Sequence, residues 1–164
     1  MLDKVKLPNL LIYPDPRLQM VCASVRMDIK HERAAAQTLL DMMWGVVAQH
    51  NGWGLAAPQL GSPTRVIVVH IKSQNGNGCR IEVVNPVLEP VKRQGHFMSE
   101  EGCLSWPGHS LRVRRHRQVK VRGLDRYGDP VTFGGKFAQA ACLQHEIEHL
   151  DGFNLADHRE QPCH

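Results

Sequence analysis

The sequence predicts an α+β fold: antiparallel β-sheets packed around a helix near the C-terminus, with a second helix near the N-terminus. Three observations predict it. Apolar residues recur at helical spacing near each end of the chain, β-branched runs of strand length lie between them, and polar turn clusters separate those runs. The 164 residues, 42% apolar and 22% charged, suit one domain, 1–164, with one core, and this composition excludes disorder, collagen and coiled coil. No apolar stretch approaches a membrane span. Prolines in MLDKVKLPNLLIYPDPRLQ interrupt the start before a signal-peptide core could form, so a cytoplasmic chain with no membrane partner is expected. The net charge of +4 permits contact with anionic surfaces but names no partner, and no specific DNA is expected.

The elements follow in order. PDPRLQ reads as an extended, turn-rich arm, because proline fixes its own φ and turns the preceding residue away from helical space. Ala36, Leu39, Leu40, Met43 and Val47 predict a helix over residues 30–50, with Asp28 as N-cap and Asn51-Gly52 as the stop, the glycine taking the left-handed angle. Residues 65–71, RVIVVHI, and 80–84, RIEVV, predict a hairpin across the polar SQNGNG turn. A short strand follows Pro86. Residues 118–124, where Val119 and Val121 alternate with Lys120 and Arg122, then DRYGDP and VTF predict a second antiparallel unit. Gly134-Gly135 is expected to release the chain into a last helix, residues 137–150, with Ala138, Ala141, Cys142, His145 and His149 stepping along one face.

That last face carries chemistry. His145-Glu146-Ile147-Glu148-His149 is H-E-x-x-H, and spacing of four on a helix turns both imidazoles to one side, about 6 Å apart along the axis. Two nitrogens can then meet one metal, while Glu146 stands beside the open coordination position and can take a proton from water. In a chain with 10 His, chance supplies roughly 0.03 such matches. A third protein ligand is needed. Few residues remain downstream (His158, Glu160 and His164 among them), so it should lie upstream. Five cysteines, Cys22, Cys79, Cys103, Cys142 and Cys163, are odd in number and widely spaced, which favours free thiols over disulfides. Cys103, in Glu101-Gly102-Cys103-Leu104-Ser105, is the candidate ligand; Cys22, Cys79 and Cys163 read as inert. The segment Gly52-Trp53-Gly54-Leu55-Ala56-Ala57-Pro58-Gln59 offers small residues that let a backbone or extended ligand approach, and an amide that can donate to an oxyanion. Taken singly, it is equally well a turn with a surface glutamine.

Together and in this order, GWGLAAPQ, EGCLS and QHEIEHLDG resemble the three motifs of the peptide deformylase family, and PDPRL resembles its usual start. The resemblance runs from about Leu11 to Gly152. It implies that Cys103, His145 and His149 hold one divalent metal per chain, Fe(II) in preference, with Zn, Ni or Co as substitutes. It implies Glu146 as general base and acid, and Gln59 with the backbone amide of Leu104 as the oxyanion site. The implied reaction is removal of the N-formyl group from formylmethionyl nascent peptides, releasing formate. The peptide would lie extended beside Gly52, Trp53, Gly54 and Gly102, its methionine in a slot lined by Trp53, Ala138, Ala141 and Cys142. Glu101 would ion-pair with Arg115, which aligns with a structural arginine of the family.

Departures from the family pattern bear on this. Glu148 stands where the family usually has Asp, one methylene longer in a carboxylate that could orient a ligand histidine. Ser110 occupies a position where several members hold the peptide with an arginine; His109 and Arg112 are nearby substitutes. These departures leave room for a metal- and peptide-binding protein with weak deformylase activity, and a third reading is an amidase cutting internal bonds. Retained Glu146 and Gln59 favour deformylation. Arg112, Arg114, Arg115, Arg117, Lys120 and Arg122 form a basic run, read as a solvated outer face; it also admits transient ribosome contact. The chain ends soon after NLADHREQPCH, so docking by a long C-terminal helix is not carried over.

Overall fold

Helical spacing in the first third of the chain is realised as α1, Lys30–Gln49, which buries Ala36, Leu39, Leu40, Met43 and Val47 with Trp44 and Val46. The computed structural model describes residues 7–71 and 78–160. Asp28 is not the cap: the N-cap position is Ile29, with no side-chain cap bond. Instead Glu32 in the first turn receives the Arg26 side chain and its backbone N–H, putting an anion where the helix dipole favours one. At the other end it is Asn51, at φ 50°, that takes the left-handed angle, not Gly52.

The middle of the chain is β1 (Gly54–Ala56), β2 (Val66–Ile71), β3 (Cys79–Pro90), β4 (His96–Cys103), β5 (Trp106–His116), β6 (Gln118–Leu124) and β7 (Pro130–Lys136). Five of these form one antiparallel sheet in the order β1-β2-β3-β6-β7; β4 and β5 form a separate ribbon. The predicted hairpin is present, with Val66 opposite Val84, although its turn at 72–77 lies outside the described residues. The strand expected after Pro86 is the far half of β3, past a bulge between Val84 and Val87. PDPRLQ contains a 3-10 turn, Pro16–Gln19, because Asp15 accepts from the Arg17 N–H and starts a turn where an extended arm was expected. Gly134-Gly135 does not release the chain. Both lie within β7, and a Cβ on Gly135 would come within 3.0 Å of the Ala140 nitrogen, so the glycine lets sheet and helix touch.

α2, Ala138–Leu150, starts one residue later than expected, because Phe137 has φ 50°. Its inner residues Ala140, Leu143, Ile147 and Leu150 pack on Ile67, Val69, Ile81, Val83, Val119 and Val121. α1 packs on Val66, Val68 and Val84. Alternate residues of β2 therefore face opposite helices, which is why this strand reads as an unbroken apolar run. Each fully buried leucine, such as Leu40 or Leu143, contributes about 1.5–3 kcal/mol by leaving water. Gln144 ties α2 to the ribbon: its amide accepts from the His116 N–H at 2.9 Å and donates to the His116 carbonyl at 3.0 Å. α2 thus runs between the five-stranded sheet and the ribbon.

Candidate active site

The helical register of α2 brings the His145 and His149 rings to 5.0 Å between centroids, edge to face. Cys103 reaches them from the end of β4. A register shift between Gly102 and Cys103 re-aims that strand end. Cys103 Sγ lies 3.3 Å from His149 Nε2, and the three ligating atoms of Cys103, His145 and His149 all fall within 4.8 Å of one another. His145 Nδ1 donates to Glu101 Oε2 at 3.0 Å, which leaves the opposite nitrogen of the ring to face the sulfur. One thiol and two imidazoles, one of them fixed by a carboxylate, suit a divalent transition metal.

Burial disfavours charge on His145, but its hydrogen bonds to Cys103 and Glu101 and the nearby Glu146 outweigh that and hold its pKa well above the usual value. Burial and the charge of His145 push His149 down to about 3. The negative groups around His145, Glu101 and Glu146, thus favour positive charge there, be it a proton or a cation, and His149 stays uncharged. Burial pushes the Glu146 carboxyl up to about 7, opposed by His145 and reinforced by Glu101. Glu146 is 5% exposed, and its buried Oε2 has no hydrogen-bond partner among the described residues. Its carboxylate presses on Gly54: a Cβ there would sit 2.6 Å from Glu146 Oε1. That contact joins the first motif to the third.

Gln59, 2% exposed, is no surface residue. Its Oε1 accepts from the Ala56 N–H at 2.9 Å, while Nε2 donates to Ser105 Oγ at 3.0 Å and points at Cys103 Sγ from 3.6 Å. Ser105, buried and overlooked in the sequence, thus braces the amide; only its place inside EGCLS signalled it. A cavity of about 930 Å³ opens onto these groups, lined by Gly52, Trp53, Gly54, Gly102, Ala138, Ala141 and Cys142 as well as Gln59, Leu104, Glu146 and two of the donor trio, Cys103 and His145. Burial pushes the Cys142 thiol well up, so it presents an apolar wall. Trp106 and the stretch from Leu7 to Leu10 complete the wall, and nothing in their spacing announced it.

Behind the cavity, Arg115 donates to both oxygens of Glu101 at 2.8 Å and to Glu148 Oε1. Arg115 is only 2% exposed, so it does not belong to the solvated basic run, whose other members are largely exposed on β5 and β6. Among the described residues Glu148 makes no hydrogen bond to His145 or His149. Its oxygens go to Arg115 and to His158 Nε2, the latter at 3.0 Å, and Glu101 does the orienting. Of the two substitutes near Ser110, His109 lines the cavity, whereas Arg112 is exposed opposite Glu100 and is not among the lining residues.

The family model for polypeptide deformylase matches residues 7–163. The chain belongs to that family. The peptide deformylase of Thermodesulfovibrio yellowstonii is 40% identical over 145 residues, covering 88% of this chain and 84% of that protein. The peptide deformylase of Alkalilimnicola ehrlichii is 37% identical over 150 residues, covering 92% and 80%. The crystal structure of a peptide deformylase from Legionella pneumophila superposes with a TM-score of 0.81 at 36% identity, over 93% of this chain and 86% of that one. Deformylases are metal-dependent, and the donor trio is where this chain can hold the ion. Among the described residues no helix is long and apolar enough to cross a membrane.

Proposed function

We propose that this chain removes the formyl group from N-formylmethionyl peptides by hydrolysis, with Cys103, His145 and His149 as metal ligands. The observation that carries this reading is Glu146, buried beside the three donors with an unpartnered carboxylate oxygen. A divalent cation held by Cys103, His145 and His149 would lower the pKa of water and polarise the formyl group. Iron(II) is favoured by family resemblance; a sulfur and two nitrogens also accept zinc, nickel or cobalt. Glu146 takes the proton of the attacking water and returns it to the departing amine nitrogen. As the formyl carbon becomes tetrahedral its oxygen gains negative charge, which Gln59 Nε2–H and the Leu104 backbone N–H stabilise by about 3 kcal/mol per donor. Formate and a free amino terminus leave.

The peptide lies along β1, an edge of the five-stranded sheet, adding a strand past Gly52, Trp53 and Gly54 with Gly102 opposite. Its methionine enters the slot formed by Ala138, Ala141 and Cys142. The natural substrates are nascent chains in the cytoplasm, met in transient contact with the ribosome. An unpartnered carboxylate lining the same cavity as Cys103 and His145 serves catalysis and adds nothing to peptide binding alone. Formate release from formyl-Met-Ala-Ser by anaerobically prepared protein tests the proposal. Glu146→Ala should lower kcat by about 10²- to 10⁴-fold at unchanged metal content. Equal turnover by the two proteins defeats the reading.

A further inference from the structure

Beyond the residues that touch the cavity, a chain of ion pairs runs outward from the metal site and ends on a histidine. His145 donates to Glu101, Arg115 spans Glu101 and Glu148, and Glu148 Oε2 receives His158 Nε2–H at 3.0 Å. The buried Arg115 guanidinium is shared by the two carboxylates, and His158 is the second donor that Glu148 receives. The turn that carries His158, Leu155–Glu160, is itself anchored. The Asn154 N–H donates to Asp157 Oδ2 at 2.7 Å, the Asn154 amide donates to the Leu18 carbonyl at 3.2 Å, and Phe153 packs edge-on against the His158 ring. Nothing else in the proposed reaction uses His158.

We propose that His158 is a positioning residue for the metal site. It holds Glu148 in place, Glu148 fixes the tilt of the Arg115 guanidinium, and Arg115 in turn sets where Glu101 holds the His145 ring. A partner that orients a ligand histidine changes metal affinity by about 10- to 100-fold when removed; further out along the same chain the effect should be smaller. The inference rests on the reading of Cys103, His145 and His149 as ligands.

The test is release of cobalt from the loaded protein into excess chelator, followed by the visible absorption of the cobalt site. His158→Phe keeps a ring against Phe153 but lacks the donor, and should speed release about 3- to 10-fold below the melting range, with kcat reduced and KM unchanged. Glu148→Gln should speed it similarly, and adding His158→Phe to Glu148→Gln should change nothing more, since both act through one contact. A purely structural histidine would lower the melting temperature and leave the release rate alone. If His158→Phe does not fold, His158→Ala removes the same donor without added volume. Release at the wild-type rate, or an equal acceleration in the Glu148→Gln background, overturns the proposal. Failure of the wild-type protein to hold cobalt would instead defeat the proposed ligand set.

Discussion

Gln59 is fixed at both ends of its amide, with the oxygen on the Ala56 N–H and the nitrogen on Ser105 Oγ and toward Cys103 Sγ. Such anchoring holds the amide plane still, so that only the N–H on the long contact to Cys103 Sγ has to transfer to the oxyanion as charge develops. Gln59→Ala should therefore lower kcat by about 10²- to 10³-fold while leaving KM within a few-fold, measured by formate release. Cys103→Ala removes the only sulfur of the trio and should lose stoichiometric metal by elemental analysis; full retention would refute its role as ligand. The type of each of these residues was legible in the motifs. Their support was not: Ser105 and His158 carry no distinctive spacing, and they matter only because folding sets them against Gln59 and Glu148.

At the scale of elements, β1 and α2 meet where Gly54 faces the Glu146 carboxylate. A methyl group there must push the carboxylate aside, because the 2.6 Å approach lies well inside contact distance. Gly54→Ala should cost more than about ten-fold in kcat, since a displacement of about 1 Å can cost 10²-fold, while metal content stays near wild type and overpacking lowers stability by about 1–3 kcal/mol. α1, the β2–β3 pair and β6 were legible because their apolar residues face water-free surfaces at a regular period. The β4–β5 ribbon was not, because its inward residues include Glu101 and Arg115, and an ion pair breaks the alternation that marks a strand. The α1 cap was misread for a similar reason: Asp28 has the right chemistry, but the ion pair of Arg26 with Glu32 holds the first turn.

Across the whole molecule, Arg115 connects the ribbon to α2 through two carboxylates. Arg115→Met would leave Glu101 and Glu148 without their common cation, and should destabilise the fold by about 3–5 kcal/mol in urea unfolding. The metal should act in the opposite sense. Because the proposed ligands come from β4 and α2, binding should favour the folded chain; at a free concentration 1,000 times its Kd it adds about 4 kcal/mol, so chelation should lower the melting temperature. The order and chemical type of the three motifs, the two helices and the principal strands were determined by sequence alone, since spacing along a helix or strand decides which side chains share a face. Only the tertiary structure decided that Gly54 makes room for Glu146, that Glu101 rather than Glu148 meets the His145 ring, and that Arg115 is buried. Those are contacts between residues tens of positions apart, and local periodicity holds no information about which distant carboxylate a guanidinium or an imidazole will meet.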